Sequence, residues 1–471
     1  MSATRRGFLM ATGSGLLTAA CSSAHNPQMV NDISQLESTR VAGVFPVTSQ
    51  EDLLAALQRH RGWVSVAGGR YSMGGQTSAD QAVQLNTDAY NGVVLLDPER
   101  KVVRVQAGMR WRTLQDHLDP HNLSVKVMQS FSNFSVGGSV SVNCHGRYVG
   151  AGSLASTVRA IQVVLPSGEV LETSRTQNPE LFAGVLGGYG LVGIVSEVEL
   201  DLADNEVMER AVQAVALADY PAWFKAEVKG RPTSVMHNAD LMPPSFDAPL
   251  AITWHRSTAA LTDARRLTPV GARYSTEQNL IWAASELPGG SLARQKLMVQ
   301  HALQKPRVIH RNLEASLDVA SLEPRTRAMS TYLLQEYFIP VRHFHRFAQA
   351  MARILTTHAV NALNVSIRHA PADTTALMRW APEDVFCFVL YYKQRRFPWS
   401  DGLTVDWTRA LVDAALACQG RYYLPYRPHA TREQFLQAYP EAHQVIRLKQ
   451  QVDPNMRLVN HLWQRYLGQL V

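Results

Sequence analysis

Cysteine is scarce in this chain, with four residues among 471, at positions 21, 144, 387 and 418. A sparse set without metal-type spacing builds neither a disulfide framework nor a zinc site. Long apolar runs are missing too. The longest apolar stretch near the N-terminus falls short of the ~20 residues a membrane span needs. No Lys/Arg run stands out, although 46 basic residues outnumber 39 acidic ones for a formal net charge of +7. That scattered excess argues against nucleic-acid binding and leaves a mild attraction for anionic substrates or membrane surfaces. Internal repeats and low-complexity tracts are absent, which excludes a solenoid. A phosphate-binding loop of the Gly-Lys-Ser/Thr kind is absent, as is a Gly-x-Gly-x-x-Gly run opening a helix.

What remains is ordinary globular composition, 46% hydrophobic with 29 Gly and 23 Pro, long enough for two or three domains. The first 21 residues, MSATRRGFLMATGSGLLTAAC, pair Arg5 with Arg6 ahead of a short apolar run and small residues. This pattern reads as a twin-arginine export signal over residues 1–25 and implies a periplasmic or cell-envelope location. A plain helical or disordered extension is the competing reading. Cys21 also offers a lipoprotein acylation site and hence a membrane anchor. Thr18 stands where such sites usually carry Leu, so lipidation and simple cleavage both stay open. Twin-arginine export commonly carries folded proteins around a cofactor, which directs attention to cofactor-binding loops.

Residues 26–39 are polar and read as a linker. Thr48 with Glu51 predicts a capping box opening a helix with Leu53, Leu54, Ala56 and Leu57 on its apolar face. WVSVAGG reads as a strand entering a glycine loop. NGVVLLDPERKVVRVQAG reads as a hairpin about Asp97–Arg100, and WRTLQDHL as a helix. After about Leu202 the pattern shifts to longer helices and the strands YLLQEYFIP, ALNVSIRH and VFCFVLYYK. An α+β chain of two parts is predicted.

Three glycine clusters fall within the first 205 residues. VAGGRYSMGGQT runs from Val66 to Thr77, SFSNFSVGGSVSVNCHG from Ser130 to Gly146, and GVLGGYGLVGIVSEVELDL from Gly184. Glycine allows positive φ and close backbone approach, so successive amides can converge on an anion. One such cluster is as readily a bare surface turn; three in order point to a ligand.

In order and spacing the three clusters resemble the FAD-binding domain of the vanillyl-alcohol-oxidase, or p-cresol-methylhydroxylase-type, flavoproteins, nearest to the sugar-lactone and alditol oxidases and the decaprenylphosphoryl-ribose oxidase. The resemblance covers residues 40–205 and returns in RYYLPYRPHATREQFLQAYP and VDPNMRLVNHLW. It implies a two-subdomain FAD-binding domain, an α+β cap with an antiparallel sheet over residues 206–425, and a segment 426–471 returning to the first domain. The first loop would hold the pyrophosphate through Ala67, Gly68, Gly69, Arg70, Tyr71, Ser72, Met73 and Gln76. In that family a histidine bonded covalently to the flavin often precedes the serine. Tyr71 stands there, which implies a non-covalent FAD of lowered reduction potential.

By the same resemblance Ser135, Gly137, Gly138 and Ser139 would donate along the second loop, and Asn143 and His145 would approach the flavin ring. His145 is also readable as a hydrogen-bonded core residue. Gly190, Ile194 and Val195 would face the adenine side, and Asn460 matches an Asn that returns to the flavin domain.

Candidate catalytic residues are Glu336, Arg368, Tyr391 and His145. Glu336 lies on an otherwise apolar strand, sharing a face with Leu334 and Phe338, where an unpartnered carboxylate is costly. Arg368 matches an alditol-oxidase arginine, with Ser366 replacing the glutamate of its Glu-x-Arg pattern. Val389, Tyr391 and Lys393 share a face, and Tyr391 is placed to reach substrate. Glu336 and Arg368 are also readable, as the lesser alternative, as a buried bridge, and Tyr391 equally as strand packing. The family's C-terminal His-Trp-x-Lys is reduced to His429, and Tyr426 occupies a lysine position of the ribose-oxidase pattern.

The implied function is hydride transfer from a CH–OH group of a polyol, sugar or related alcohol to FAD. Electrons would pass to oxygen or to a membrane quinone or cytochrome, with no metal. The alternatives are an NADPH-dependent reductase of an enolpyruvyl sugar and a non-catalytic flavin electron-transfer protein.

Overall fold

A computed structural model describes residues 28–287, 289–290, 306–397 and 399–470. The expected N-terminal export signal and Cys21 lie outside the described residues. The short strands β1 (Gln28–Val30) and β2 (Thr39–Val41) pair antiparallel. β3 (Gly43–Pro46), β4 (Val64–Ala67) and β5 (Val83–Asn86) form a parallel sheet in the order β3-β5-β4.

An antiparallel sheet follows. It takes β6 (Val93–Asp97), β7 (Val102–Gln106), β8 (Leu123–Val125), β9 (Val158–Val164), β10 (Val170–Ser174) and β11 (Ile194–Asp204). Its order is β10-β9-β11-β7-β6, with β8 also paired to β11. Along β11 the burial alternates residue by residue from Ser196 to Ala203, as a sheet wet on one face demands.

The remaining strands are β12 (Val207–Ala214), β13 (Ser234–Leu241), β14 (Leu250–Arg256), β15 (Val308–His310), β16 (Ser330–Pro340), β17 (Ala362–Ala370), β18 (Val385–Arg395) and β19 (Arg421–Tyr422). They make one eight-stranded antiparallel sheet, β15-β12-β14-β13-β17-β18-β16-β19. Helices and antiparallel sheets in separate layers give the α+β architecture the sequence predicts.

Strand alternation in that large sheet decides which side chains meet the site. Tyr337 and Phe388 point to the helix Phe344–Thr357, where both rings pack on Phe347 at 5.5 and 5.0 Å. Their neighbours Glu336 and Val389 therefore face the opposite side, toward a cavity. The helix itself buries Phe344, Phe347, Ala348, Met351 and Leu355, a three-and-four spacing that lays one apolar stripe on the sheet.

Several local features differ from expectation. Residues 26–39 are folded from Gln28 onward rather than a free linker. The Asp32 carboxylate takes the Ser34 hydroxyl at 2.5 Å, and Ile33 N–H donates to the Arg70 carbonyl at 3.0 Å. The helix Gln50–Arg59 is capped one residue later than predicted, by Ser49, whose hydroxyl accepts from Asp52 N–H. Thr48 instead bonds the Asp52 carboxylate. The middle of the second glycine loop is a short helix, Val136–Ser141.

The C-terminal segment returns to the first sheets. Val64 donates to Arg457 O at 2.7 Å and Val459 to Val64 O at 2.9 Å, extending the three-stranded sheet beside β4. Fully buried Lys449 donates to Leu191 O, Leu458 O and Asp453 Oδ2 at 2.9, 2.7 and 2.6 Å. One ammonium thus ties the C-terminal helix to the third glycine cluster.

Candidate active site

The first two glycine clusters and the large sheet enclose a cavity of about 340 Å³. A second, about 60 Å³, adjoins it through the shared residues Gly68, Ser72, Thr77, Gly138 and Val142 and runs to Tyr189, Gly190, Ile194 and Val195. Together they form an elongated space beginning on the eight-stranded sheet and ending at the third glycine cluster.

Close packing explains the glycines. A Cβ on Gly68 would stand 2.3 Å from Ser135 Oγ and would separate the two loops, and one on Gly137 would stand 2.6 Å from Ala107 Cβ and would push the second loop off the residue that follows β7. Gly75 and Gly190 take φ of +73° and +71°. Asp32 braces the loop by accepting from Gly75 N–H at 3.4 Å. Gln76 holds it against the C-terminal segment, donating to the carbonyls of Leu424 and Tyr426 at 2.6 and 2.9 Å.

The space fits a flavin dinucleotide on its own chemistry. The backbone N–H groups of Arg70, Tyr71 and Ser72 have no hydrogen-bond partner among the described residues, nor has that of Gly138. Free amides in a glycine loop are donors for a pyrophosphate. Arg70, itself at φ +57°, adds a cation that among the described residues is bonded only to the neutral amide of Gln84, at 2.7 Å. Buried Ser130 Oγ, Asn364 Oδ1 and Arg368 Nε, on the walls of the larger space, likewise lack partners.

Gly68, Gly69, Arg70, Tyr71, Ser72, Met73, Ser135, Gly138 and His145 line the larger cavity. Gln76, Gly137, Gly190, Ile194 and Val195 line the smaller one. Tyr71 packs on Phe134 at 4.7 Å between ring centroids, with burial raising its phenol above the usual range.

Four expected contacts lie elsewhere. Ala67 ends β4 and its carbonyl takes the Thr87 N–H at 2.8 Å. Ser139 turns inward to Trp111 Nε1 and Gln129. Asn143, expected to approach the ring, donates to Asp373 at 2.6 Å and accepts from Ala155 N–H. Asn460 donates to Tyr189 O at 2.9 Å and so steadies the residue before Gly190 without lining the space.

Glu336, Arg368, Tyr391 and His145 all line the larger cavity. His145 Nε2 donates to Glu336 Oε1 at 2.5 Å, both side chains being nearly inaccessible at 3% and 2%. The imidazole is boxed by Trp380, Phe338 and Tyr423 at 4.8, 5.7 and 6.1 Å. Of the two carboxylate oxygens, Oε2 meets only the Tyr426 hydroxyl among the described residues, at 3.5 Å. Glu336 therefore keeps one oxygen with accepting capacity at the wall of the cavity. The Glu336–Arg368 bridge readable from sequence does not form at ion-pair distance, because the carboxylate is taken by His145. Tyr391 gives its hydroxyl to the Leu322 carbonyl.

Burial pushes Tyr426 well above the usual phenol range, and Glu336 adds to this, so its proton stays available to donate. Burial is the largest influence on Arg368 and lowers it, with Glu336 opposing and Arg147 reinforcing. Arg147 is anchored by Glu314 at 2.6 Å. Donor atoms of His145, Glu336 and Cys387 lie within 4.8 Å of one another. Burial holds the Cys387 thiol well above its usual range, and a protonated thiol is a poor metal ligand. His429 sits away from the cavity against Thr408, 3.3 Å away.

Arg147, Asn364, Ile33 and the pairing of Tyr426 with Glu336 are features of the site that sequence reasoning missed. They arise from pairings far apart in the chain, and no local motif marks them.

Comparison with known proteins agrees with this geometry. A family model described as an FAD binding domain matches residues 41–174. The decaprenylphosphoryl-beta-D-ribose oxidase of Mycolicibacterium smegmatis is 23% identical over 455 residues, covering 88% of this chain and 92% of that one. The L-gulonolactone oxidase of Bos taurus is 29% identical over 159 residues, covering 33% of this chain and 36% of that one. Cytokinin dehydrogenase 2 of Arabidopsis thaliana is 30% identical over 186 residues, 36% of this chain and 35% of that one. The chain thus spans about a third of the length of the last two. Residues 41–174 thus carry an FAD binding domain, and the cofactor of this chain is FAD.

Proposed function

We propose that this protein is an FAD-dependent oxidoreductase that oxidises a CH–OH group of a polyol, sugar or related alcohol. Glu336 carries the reading: a carboxylate buried in the cavity wall, oriented by His145 through one oxygen and met at the other only by the long contact of the Tyr426 hydroxyl among the described residues. FAD bound in the adjoining loops supplies a two-electron acceptor for the hydride leaving the carbinol carbon. The hydroxyl proton passes to Glu336 Oε2, so the alcohol loses one hydride and one proton and becomes a carbonyl. His145 fixes the carboxylate, Tyr426 donates toward its second oxygen, and the surrounding aromatic side chains exclude water. Oxygen, or a membrane quinone or cytochrome, then takes the electrons.

The names of the relatives support a lactone- or sugar-like substrate. Arg5 and Arg6 ahead of a short apolar run support export to the cell envelope, with Cys21 as a lipid-anchoring site. Tyr71 at the position of the family's linking histidine supports an FAD held without a covalent bond.

Anaerobic mixing of the holoprotein with a panel of polyols, aldonates and lactones tests the reading. At least one alcohol bleaches the flavin, and NADPH does not. Bleaching by NADPH alone would assign the reductase reaction. A flavin bleached by dithionite but by none of these donors would leave an electron-transfer protein.

A further inference from the structure

The charged side chains lining the larger cavity fall into partnered and unpartnered groups. Glu336 is tied to His145, Arg147 to Glu314, and Arg327 lies 3.8 Å from Glu323. Arg70 belongs to the glycine loop, beside the free amides that suit a pyrophosphate. Arg368 is left over. Its guanidinium has neither hydrogen bond nor ion pair among the described residues, and its buried Nε is unsatisfied. Leaving such a cation without a bonded anion is unfavourable, and among the described residues Glu336 acts on it only at a distance, its carboxylate being held by His145.

The surroundings suit an incoming oxyanion. Arg368 shares β17 with Ser366 and Asn364, which line the same cavity at alternate positions. Glu336 supports the charge on Arg368 and Arg147 opposes it, and both guanidinium groups line this cavity. Guanidinium presents paired donors that match the two oxygens of a carboxylate or phosphate. Glu336, the proton acceptor, lies on β16, separated from β17 by β18. A small substrate spans that gap with its hydroxyl at one end and its anionic group at the other.

We propose that the substrate is an anionic alcohol whose carboxylate or phosphate is received by Arg368, with Arg147 behind it, while its carbinol lies beside Glu336. This rests on the oxidation reading above. It makes Arg368 a specificity-determining residue, and it narrows the substrate from alcohols in general to hydroxy acids or sugar phosphates.

The test uses the full holoprotein as wild type, Arg368→Gln and Arg368→Lys. Inorganic phosphate and acetate, which carry no oxidisable CH–OH, are titrated while the visible flavin band is followed. Half-saturation for anaerobic bleaching is then compared for erythritol, erythronate and erythritol 4-phosphate. In wild type at least one anion gives a saturable band shift, and the matching anionic alcohol half-saturates at lower concentration than erythritol. Arg368→Gln abolishes the shift and reduces that preference about 30-fold or more, as loss of a buried charged hydrogen bond does. Arg368→Lys retains part of both. Which anion responds decides between carboxylate and phosphate. No shift from either anion, or a preference ratio unchanged in Arg368→Gln, would overturn the proposal. An anion shift that depends on Arg368, with no alcohol bleaching the flavin, would leave the anion site standing and remove the oxidation reading instead.

Discussion

His145 Nε2 and Glu336 Oε1 lie 2.5 Å apart although 191 residues separate them in the chain. One comes from the end of a glycine loop, the other from the centre of β16. Their contact joins the flavin-binding part of the chain to the large sheet, and it sets which carboxylate oxygen is left to take a proton. Glu336→Gln keeps the shape and removes the basic oxygen. The rate of flavin reduction by the substrate falls about 10²–10⁴-fold, while the flavin band of the purified protein persists. Stopped-flow absorbance measures both. An unchanged rate would remove Glu336 from the chemistry.

Lys449 is a buried strut. It is fully inaccessible, burial lowers its basicity, and Asp453 beside it opposes that effect. Lys449→Met leaves the Asp453 carboxylate buried without its partner and costs about 3–5 kcal/mol. Thermal unfolding followed by flavin fluorescence should show an earlier transition and earlier release of flavin, since Leu191 of the third glycine cluster loses its anchor. A transition that does not move would show that the contact is dispensable.

The large sheet carries an acid sensitivity. His237 is enclosed between Tyr220 and Thr253 at 2.9 and 2.8 Å, and burial pushes it down to about 3. His369 is pushed down to about 4, again chiefly by burial. The unfolded chain binds protons at an ordinary histidine pKa near 6.5, and the folded chain does not. Stability is therefore full above about pH 6.5 and declines as pH falls toward 4, with a slope of up to about 1.4 kcal/mol per pH unit for each such group. Melting temperatures at pH 7.5 and 5.0 test this. His237→Gln narrows the gap between them; an equal gap would contradict the assignment.

Much of the first part was legible because its signals are local. The hairpin about Asp97–Arg100, the helix Trp111–Leu118 and the strand opening at Ile194 each follow from turn chemistry or periodicity within a few residues. Gly68 and Gly137 announce themselves by a composition that only close packing requires. Ser139 and Asn143 were misplaced because a hydroxyl or amide in a glycine loop serves a ligand or the core equally well. Only the tertiary positions of Trp111 and Asp373 decide between the two. Strand alternation placed Glu336 on the right face of β16, yet its partner could not be read. Arg368 was the natural sequence candidate, and the fold brought His145 instead.

The central claim is that these loops hold FAD through contacts alone, with Tyr71 where related proteins carry a linking histidine. The absorbance spectrum of the purified protein, taken before and after acid precipitation, tests it most directly. A flavin spectrum whose colour moves wholly to the supernatant is the predicted result. Colour retained in the pellet would mean a covalent bond elsewhere in the site, and contradict the role given to Tyr71.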